Sequence, residues 1–581
     1  MATNVTMPKL GLSMETGKIN EWKVDEGGEI KQGEILLIVE TEKITYEVES
    51  PATGVLHIIV PVEGEVPVAE LIGIIAADKA EYDSVCAGGG AAAAPAAAAA
   101  APAADAAAPA AAAGAPAPAV ASAADTHVVV IGGGPGGYPA AIRVAQLGAK
   151  VTIIEKDEFG GTCLNRGCIP TKALLQSSGM YKHAREAATF GITVGDVKID
   201  FPAVMARKNT VVKQLVGGLG GILKSHGMTI IKGTGQIINA NTVKVNETGD
   251  EIKCDRIIIA TGSVPSRVPI DGIDQCITSD EALSLEKLPK SLLIIGGGVI
   301  GMEFAQIMNQ MDVAVTVVEM LPQILPTEDP ELAKTFAGMC QKAGIEIHTN
   351  TSVSKVAAKG KKKVVSFGDQ SKEVDLVLVA VGRSPYTEGL GLDSAGIAME
   401  KGFVKVNEYL ETSIKGIYAI GDVIGNYMLA HVATAEGETA AANCVGTPHR
   451  MDYRSVPRGV YTSPEVASVG MTEAEAKARY GELEIGRFPF VGCGKALVIN
   501  ETEGMVKIIT EKKYGEVVGA AILGPHATDL INEIGVAIQM EATFEEIAHT
   551  IHAHPTIAES IMEAALDVDA KAIHMPRKKK K

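Results

Sequence analysis

The feature that most constrains the fold is a glycine-rich segment that occurs twice in the chain. Residues 127–156 read HVVVIGGGPGGYPAAIRVAQLGAKVTIIEK, and residues 291–320 read SLLIIGGGVIGMEFAQIMNQMDVAVTVVEM. Each contains an apolar run, a Gly-x-Gly-x-x-Gly turn, a helical stretch and a second apolar run that leads to a glutamate. This order predicts strand, turn, helix and parallel strand, the repeating unit of a doubly wound α/β sheet.

Both segments are predicted to bind the pyrophosphate of a dinucleotide. The glycines allow a tight turn and a close approach of the phosphates, and the following helix presents free N–H groups and the positive end of its dipole. The glutamate at the end of the second run is placed to bind ribose hydroxyls. The predicted residues are Gly132, Gly134, Gly137 and Glu155 in the first segment, and Gly296, Gly298, Gly301 and Glu319 in the second.

Two intact glycine sets predict two dinucleotides, one kept as a prosthetic group and one exchanged. The alternative is a duplicated structural fold in which one of the two sites is inactive. Glu319 would repel a 2′-phosphate, and the residues MLPQILP that follow it contain neither arginine nor lysine. The second site is therefore predicted to prefer NAD over NADP.

The composition argues against several classes of protein. A formal net charge of −17 and an aromatic content of 4% disfavour a nucleic-acid partner, which needs clustered basic residues and stacking surfaces. The long stretch of small apolar residues, 87–124, consists mainly of alanine and proline and makes a poor membrane span. The N-terminus lacks the basic and apolar layout of a signal peptide, so we expect a cytoplasmic protein with no membrane partner.

The chain is predicted to begin with a small all-β domain and a flexible linker. Residues 1–80 read as short strands broken by glycine, proline and acidic turns, and the stretches 25–39 and 62–75 resemble each other. Two such halves of four strands would form a flattened barrel. Residues 81–124 contain too few large apolar side chains to build a core. From about residue 455, strand-like runs followed by a helical stretch indicate an α+β unit.

A close cysteine pair, Cys163 and Cys168, lies in GGTCLNRGCIPTKALL after the first glycine segment. Eight cysteines in 581 residues make no disulfide framework, and this pair alone offers too few ligands for zinc or an iron–sulfur cluster, so no metal site is predicted. A structural disulfide is disfavoured in a reducing cytosol, which leaves a redox-active pair beside the first dinucleotide. A helix that starts near Cys168 would lower the pKa of its thiol.

These segments resemble the flavin disulfide reductases over nearly all of residues 126–575. The resemblance rests on GGTCLNRGCIPTK with its flanking glycine motif. Three further segments support it: IIIATGS (257–263), VAVGRSP (379–385) and GIYAIGDV (416–423). The cysteine segment is closest to that of the family members that oxidise dihydrolipoamide.

This resemblance implies cofactors and further site residues. It implies FAD at the first glycine segment and NAD at the second. Gly262 and Asp422 are expected in the FAD site, where Asp422 would bind the ribityl chain. Lys172, assigned to the FAD site, and Glu303, assigned to the NAD site, match an ion pair that the family places beside the reactive end of the flavin.

A histidine near the C-terminus completes the predicted site. The segment IHAHPTIAES (551–560) contains His552 and His554, and on the residues alone each could be a core or helix-capping histidine. Dithiol oxidation needs a general base, a role that suits imidazole near neutral pH. By resemblance the base is His554 with Glu559 as its partner, and His552 is structural. The resemblance also implies a homodimer, because in this family the base reaches the disulfide of the other subunit.

The N-terminal residues 1–76 resemble a lipoyl domain through MPKLGLSMETGKI and VETEKITYEVESPATGVL. Lys43 lies at the predicted hairpin tip, where the family carries lipoate in amide linkage. Its neighbours Glu42 and Ile44 differ from the Asp and the Ala or Val that the family more often shows. The alternative is an ordinary exposed lysine in a turn.

The resemblances together predict an enzyme that oxidises protein-bound dihydrolipoamide with NAD⁺ through Cys163, Cys168 and FAD. The expected partner is the lipoyl-bearing acyltransferase of a 2-oxo acid or acetoin dehydrogenase complex. The alternatives are another flavin disulfide reductase and a non-catalytic lipoyl carrier or scaffold. The predicted domains are the lipoyl domain (1–80), the linker (81–124), the FAD-binding domain (125–266), the NAD-binding domain (267–388), a central domain that completes the FAD site (389–453), the interface domain (454–575) and a basic tail (576–581).

Overall fold

The computed structural model describes residues 2–7, 16–40, 45–62, 65–68, 70–86 and 123–576. Lys43, most of the predicted linker and the basic residues 577–581 lie outside the described residues. The chain divides into two compact units, residues 1–114 and residues 115–581. Within the described ranges, no helix is long and apolar enough to cross a membrane.

Short antiparallel strands build the first unit. They are β1 (Thr3–Thr6), β2 (Thr16–Trp22), β3 (Glu29–Ile30), β4 (Ile35–Glu40), β5 (Thr45–Glu49), β6 (Gly54–Ile58), β7 (Glu65–Pro67) and β8 (Leu71–Ala76). They form two four-stranded sheets, in the orders β1-β8-β6-β3 and β5-β4-β2-β7. Buried Ile19, Leu36, Leu56 and Ile72 belong to one core that both sheets share. This arrangement confirms the predicted all-β fold, and each sheet takes two strands from each of the two predicted sequence halves.

Strands β4 and β5 form the predicted hairpin around the candidate lipoyl site. They are antiparallel neighbours, and Glu40 at the end of β4 is paired with Thr45 at the start of β5. Lys43 belongs to the four-residue connection between the paired ends. The register of the described strands therefore agrees with the predicted hairpin.

A short helix, α1 (Lys79–Cys86), crosses the predicted boundary between the first domain and the linker. Its start is capped because the amide of Glu81 donates to the carboxylate of Asp78 at 2.9 Å. The hydroxyl of Tyr82 donates to Glu26 at 2.7 Å and attaches the helix to the strands. Residues 81–86 were predicted as linker, because a cap and tertiary contacts of Tyr82, rather than an apolar period, specify the helix.

The second unit opens with the strand–helix–strand order predicted from the first glycine segment. Its first elements are β9 (His127–Ile131), α2 (Gly137–Gln146), β10 (Lys150–Glu155), α3 (Gly161–Arg166), α4 (Cys168–Glu186), α5 (Phe201–Ser225), β11 (Thr229–Lys232), β12 (Gly235–Asn239), β13 (Thr242–Val245), β14 (Glu251–Lys253), β15 (Arg256–Ile259) and β16 (Ser263–Pro265). Strands β9, β10, β11 and β15 are parallel, whereas β12, β13 and β14 form an antiparallel sheet.

The second glycine segment starts a similar arrangement. Its elements are α6 (Ser279–Ala282), β17 (Ser291–Ile295), α7 (Val299–Gln310), β18 (Ala314–Val318), α8 (Pro330–Lys342), β19 (Glu346–His348), β20 (Val353–Lys359), β21 (Lys362–Phe367), β22 (Gln370–Val374), β23 (Leu376–Val379) and β24 (Arg383–Pro385). A parallel sheet in the order β19-β18-β17-β23 lies beside the antiparallel sheet β20-β21-β22. Strand β24 returns to pair with β16 of the preceding region.

The chain then completes the first parallel sheet. The elements of this stretch are α9 (Leu392–Ala395), β25 (Met399–Glu400), β26 (Phe403–Val404), β27 (Ile417–Ala419) and α10 (Ala430–Cys444). Strand β27 joins the sheet at its edge, which gives the order β11-β10-β9-β15-β27. The apolar strands of this sheet are buried on both faces, as expected for a doubly wound α/β fold.

An α+β region ends the described chain. Its elements are β28 (Arg458–Val460), β29 (Glu465–Gly470), α11 (Glu473–Tyr480), β30 (Leu483–Pro489), α12 (Gly494–Val498), β31 (Met505–Glu511), β32 (Val517–Gly524), α13 (Ala527–Gln539), α14 (Phe544–His549) and α15 (Glu559–Val568). The five strands form an antiparallel sheet in the order β28-β29-β32-β31-β30. The predicted fold class is confirmed in each region.

Candidate active site

The first glycine turn joins β9 to α2. A Cβ on Gly132 would lie 2.3 Å from the carbonyl oxygen of Ala260, and one on Gly137 would lie 1.8 Å from the carbonyl oxygen of Gly132. These positions therefore admit only glycine. Glu155, at the buried end of β10, accepts a hydrogen bond from the amide of Gly133 at 2.6 Å. The predicted ribose-binding carboxylate is thus fixed against the turn.

The second glycine turn repeats this geometry between β17 and α7. A Cβ on Gly301 would lie 2.0 Å from the carbonyl oxygen of Gly296, so the helix and the turn are in direct contact. Glu319, directly after β18, accepts a hydrogen bond from the amide of Gly297 at 2.6 Å. A Cβ on Gly298 would meet no atom within 4 Å, so the space beside this turn is open.

Both turns contribute to one cleft of about 1610 Å³. This volume exceeds the roughly 300–1000 Å³ of a pocket for one small ligand. The residues that line it include Gly132, Gly134, Glu155, Cys163, Cys168, Lys172, Gly262, Gly298, Glu303 and Asp422. The amides at the starts of α2 and α7, the open space beside Gly298 and the Glu155 carboxylate fit the phosphates of two dinucleotides and the ribose of the first. Glu319 is not among the described residues that line the cleft.

The two cysteines are carried by successive helices at this cleft. Cys163 lies in α3 and Cys168 is the first residue of α4, and both are thiols in this structure. The hydrogen bond between them lowers the pKa of Cys168 to about 7 against the effect of burial, with support from the charge of Lys172. The same hydrogen bond, together with burial, raises the pKa of Cys163. Cys168 is therefore the residue of the pair that forms the thiolate.

Lys172 lies one turn after Cys168 on α4, on the same side of the helix. Its Nζ is 2.9 Å from both carboxylate oxygens of Glu303, which is 3% exposed. The amide of Tyr461 also donates to Glu303, at 3.0 Å, and its ring lies under the Lys172 ammonium at 4.4 Å. The structure thus brings together the two residues that were predicted to form an ion pair. A buried carboxylate such as that of Glu303 needs a cation and hydrogen-bond donors to offset its loss of hydration.

Asp422 faces the cleft within a small polar cluster. The hydroxyl of Ser263 donates to Asp422 at 2.5 Å, and Nε of Arg383 donates to the hydroxyl of Ser263 at 2.7 Å. Arg383 also lies 3.8 Å from the carboxylate of Asp422 and 3.4 Å from the hydroxyl of Thr162 in the cysteine helix. Gly262 precedes Ser263 and lines the same cleft. This cluster ties the predicted ribityl-binding aspartate to the segment with the cysteines.

His554 lies between α14 and α15, after which Pro555 follows through a cis peptide bond. Its Nδ1 is 2.9 Å from Glu559, and the amide of Thr556 donates to the other oxygen of that carboxylate at 2.8 Å. Burial opposes ionisation of Glu559, yet these hydrogen bonds hold its pKa below the ordinary value. The His554 side chain is 79% exposed. An oriented imidazole with one ring nitrogen bound to a carboxylate is suited to accept a proton at the other.

The neighbouring histidine has a different environment. His552 is 5% exposed and its Nε2 lies 3.0 Å from Glu533, a contact that raises the pKa of the imidazole. His554 is absent from the described residues that line the cleft of the same chain. The structure therefore gathers the cysteines, both glycine turns and Lys172 in one cleft and places the histidine elsewhere.

Several residues of this site were not predicted from the sequence. Arg383 lies within the quoted VAVGRSP segment, and its charge beside a predicted cofactor segment was an available signal. Ser263 likewise lies within the quoted IIIATGS segment, whereas Tyr461 is located only by tertiary contacts. Glu436, fully buried on α10, stands among alanines on a helix face that includes Ala433. A charged residue on an otherwise apolar face was also a detectable signal.

Three family models match the chain. A model described as pyridine nucleotide-disulphide oxidoreductase matches residues 126–437, and one for the dimerisation domain of that family matches residues 456–565. A model described as biotin-requiring enzyme matches residues 3–81. The three matched ranges agree with the three regions of distinct architecture in the structure.

Curated relatives match over most of their length. Dihydrolipoyl dehydrogenase of Bacillus subtilis (strain 168) is 43% identical over 473 residues, which cover 78% of this chain and 100% of that protein. The mitochondrial dihydrolipoyl dehydrogenase of Pisum sativum is 43% identical over 470 residues, with coverage of 78% and 94%. These matches leave about a fifth of this chain unaligned.

Solved structures show the same fold. LpdA from Mycobacterium tuberculosis superposes with a TM-score of 0.71 at 30% identity, covering 76% of this chain and 99% of that one. The HOCl-induced flavoprotein disulfide reductase RclA from Escherichia coli superposes with a TM-score of 0.69 at 29% identity, with coverage of 76% and 99%. The fold of this chain is similar to that of both proteins.

Proposed function

The chain belongs to the pyridine nucleotide-disulphide oxidoreductase family, and from this premise we propose that it works as a dihydrolipoyl dehydrogenase with its own lipoyl domain. The reaction converts dihydrolipoamide and NAD⁺ into lipoamide, NADH and a proton. The observation that carries the proposal is the thiol pair Cys163 and Cys168 in the same cleft as two dinucleotide-binding turns. FAD, when bound, supplies the two-electron chemistry that links a dithiol to a nicotinamide.

The residues of the cleft would hold the two dinucleotides by the groups already described. Glu155 and the first glycine turn would bind the adenosine half of FAD, and Asp422 would bind its ribityl chain. The second turn would hold NAD, and the negative charge of Glu319 beside that turn would disfavour the 2′-phosphate of NADP. Glu303 holds the ammonium group of Lys172 close to Cys168, where the positive charge stabilises the thiolate.

The thiol chemistry divides between the two cysteines according to their pKa values. In the oxidised enzyme, a deprotonated substrate thiol attacks Sγ of Cys163, forms a mixed disulfide and releases Cys168 as the thiolate. The second substrate thiolate attacks the substrate sulfur of that mixed disulfide, which yields lipoamide and returns the electron pair of the S–S bond to Cys163. The dithiol then holds the two electrons of the substrate. The lowered pKa of Cys168 and the raised pKa of Cys163 support these assignments.

His554 is the proposed base, and the second subunit of a homodimer supplies it. The match of a dimerisation-domain model to residues 456–565 supports the homodimer. The exposure of His554 and its absence from the lining of its own cleft support its action on another chain. Glu559 orients the ring and stabilises the imidazolium that forms when the proton is taken.

The N-terminal domain is proposed to carry lipoate on Lys43. The match to residues 3–81 and the β4–β5 hairpin around residues 41–44 support an attachment site at this position. A tethered lipoyl group would relay electrons from the lipoyl-bearing acyltransferase of a 2-oxo acid or acetoin dehydrogenase complex to Cys163. Tethering of this kind gives effective concentrations of order mM without a new contact. We propose that this assembly works in the cytoplasm.

The thiol-pair proposal is tested on the purified full-length protein. It should contain FAD and form NADH from dihydrolipoamide and NAD⁺. Cys168→Ser should abolish this turnover, whereas Cys276→Ser, which changes a cysteine that does not line the cleft, should leave it intact. Retained turnover in Cys168→Ser would contradict the assignment. A colourless, inactive wild-type protein would support the carrier or scaffold alternative instead.

The lipoyl proposal is tested separately by the intact mass of the chain. We expect an increase equal to one lipoyl group, and the increase should disappear in Lys43→Arg. An increase equal to one biotin would assign the N-terminal domain to the other class named by its family model. An unmodified mass after expression with lipoate and a lipoate ligase would contradict the proposed attachment.

A further inference from the structure

Glu436 is a fully buried carboxyl group on α10, close to the predicted FAD site. One of its oxygens accepts a hydrogen bond from the amide of Gly421 at 2.6 Å, and the other accepts one from the hydroxyl of Tyr453 at 2.7 Å. Gly421 directly precedes Asp422, and both line the cleft. Both oxygens of this side chain are therefore engaged by groups next to the cofactor segment.

The same helix also contacts the first glycine turn. The hydroxyl of Thr434 donates to the carbonyl oxygen of Pro135 at 2.9 Å, within that turn. A Cβ on Gly437 would lie 2.5 Å from the carbonyl oxygen of Gly136, so helix and turn are in direct contact. Within four residues, α10 thus binds the turn that would hold the pyrophosphate and the turn that would hold the ribityl chain.

The hydrogen bond from the Gly421 amide restrains the backbone that leads into Asp422. The hydrogen bond to Glu436 fixes the peptide unit between Ile420 and Gly421, and the hydroxyl of Ser263 fixes the Asp422 carboxylate at 2.5 Å. The backbone on one side and the side chain on the other are thereby both restrained. Asp422 is held in a single orientation toward the cleft.

We propose that Glu436 is a positioning residue for FAD. Through α10, Glu436 holds the Gly421–Asp422 turn against the first glycine turn. This inference deepens the proposed function and rests on it, because it concerns the same FAD site. A buried acid without partners is costly, and an apolar side chain would pack there at lower cost if α10 only filled space. Burial raises the pKa of Glu436, against the effect of its two hydrogen bonds.

Tyr453 extends this connection to the wall of the cleft. Its ring is stacked on that of Tyr427, with centroids 5.5 Å apart and an angle of 21° between the planes. Tyr427 lines the cleft, so the Glu436–Tyr453 contact reaches the cofactor site by a second route. Tyr453→Phe would keep the stacking and remove the hydroxyl, which donates to Glu436 and is also hydrogen-bonded to Asn426.

The test compares four variants of the full-length chain by two measurements. The first is the dissociation constant for FAD, from titration of the FAD-depleted protein. The second is the flavin midpoint potential of the reconstituted enzyme. Glu436→Ala removes both acceptors, whereas Glu436→Gln keeps a carbonyl oxygen for Gly421. Glu438→Ala is the matched control, because Glu438 lies on the same helix in an exposed pair with Arg143 at 3.2 Å. Tyr453→Phe removes one of the two contacts.

We expect Glu436→Ala to raise the dissociation constant for FAD by at least about tenfold and to shift the midpoint potential, since a buried hydrogen bond to a fixed amide is lost. Glu436→Gln should stay within about threefold of wild type, as should Glu438→Ala. Tyr453→Phe should lie between these limits. If Glu436→Ala does not fold, the dissociation constant for FAD of Tyr453→Phe is compared with that of Glu438→Ala, and a weaker affinity in Tyr453→Phe supports the proposal.

Three results would overturn the inference. The first is FAD binding by Glu436→Ala within threefold of wild type with an unchanged potential, and the second is an equal loss in Glu438→Ala. The third is a loss in Glu436→Gln as large as that in Glu436→Ala. A wild-type chain that binds no FAD would instead contradict the proposed function itself, so the two failures are distinct.

Discussion

Replacing Lys507 by methionine tests whether a buried ion cluster holds the α+β region on the predicted NAD-binding region. Lys507 lies on β31 and is 2% exposed. Its Nζ is 2.8 Å from Asp329 and 2.7 Å from Glu473, and Glu331 lies at 3.2 Å. Asp329 precedes α8, whereas Lys507 and Glu473 belong to the α+β region. One ammonium therefore joins acidic groups from both regions.

The expected loss follows from the environment of each partner. Removing one member of a buried pair costs about 3–5 kcal/mol, because the remaining charge loses its compensation. Asp329 is 4% exposed, but it also accepts hydrogen bonds from the amides of Glu331 and Leu332 at 2.9 and 3.3 Å. Glu473 is 43% exposed and remains hydrated. These residual partners place the loss for Lys507→Met at the lower end, about 3 kcal/mol.

Urea unfolding of the full-length chain measures this loss with an internal reference. The one tryptophan, Trp22, lies in the N-terminal unit, so its fluorescence follows that unit and circular dichroism follows mainly the helical second unit. We expect Lys507→Met to lower the dichroism midpoint by up to about 1 M urea while the fluorescence midpoint stays unchanged. Lys512→Met removes an exposed pair with Glu482 and should leave the dichroism midpoint nearly unchanged.

A second variant separates lost charge from lost packing. Asp329→Asn keeps an acceptor for the start of α8 and removes the uncompensated charge. Added to Lys507→Met, it should restore roughly half of the lost stability. The reasoning would be refuted if Lys507→Met lost no more than Lys512→Met, or if the second substitution added to the loss.

Three further predictions concern the redox site. The lowered pKa of Cys168 means that its thiolate is present above a pH of about 7 and is lost as the pH falls through that value. Lys172→Met should move this titration, measured by the ultraviolet absorbance of the thiolate, to higher pH. Lys182→Met, an exposed change on the same helix, should not move it. Glu319→Ala should reduce the preference in kcat/KM for NAD⁺ over NADP⁺ by about tenfold, because a charge that repels the 2′-phosphate is removed, and equal preference ratios in the two proteins would contradict this role. In the assembled complex without free lipoamide, Lys43→Arg should lose turnover while it keeps full activity on added dihydrolipoamide; unchanged turnover in the complex would exclude the proposed relay.

The predictable parts of this molecule are those in which neighbouring residues in the sequence are also neighbours in space. Each glycine turn and its glutamate fall within about thirty residues, so strand, turn and helix could be identified from local order. Cys163 and Cys168 lie on successive helices for the same reason. The β4–β5 hairpin around Lys43 was also predictable, since alternation and turn residues fix its register.

The contacts that orient the site span much longer separations and could not be predicted locally. Ser263, Arg383 and Asp422 form one cluster although up to 159 residues separate them. The buried state of Glu436 depends on Gly421 and Tyr453, which only the folded chain brings to it. Pattern-based reasoning identifies apolar faces, but it does not show which acid on such a face has partners.

The exposure of His554 has a consequence for the genetics of this protein. In the proposed homodimer, each site combines the cysteines of one chain with the histidine of the other. A chain with Cys168→Ser and a chain with His554→Gln would each be inactive alone. A mixed dimer would contain one site with both defects and one site with none. Co-expression of the two chains in equal amounts should therefore restore about a quarter of the wild-type sites.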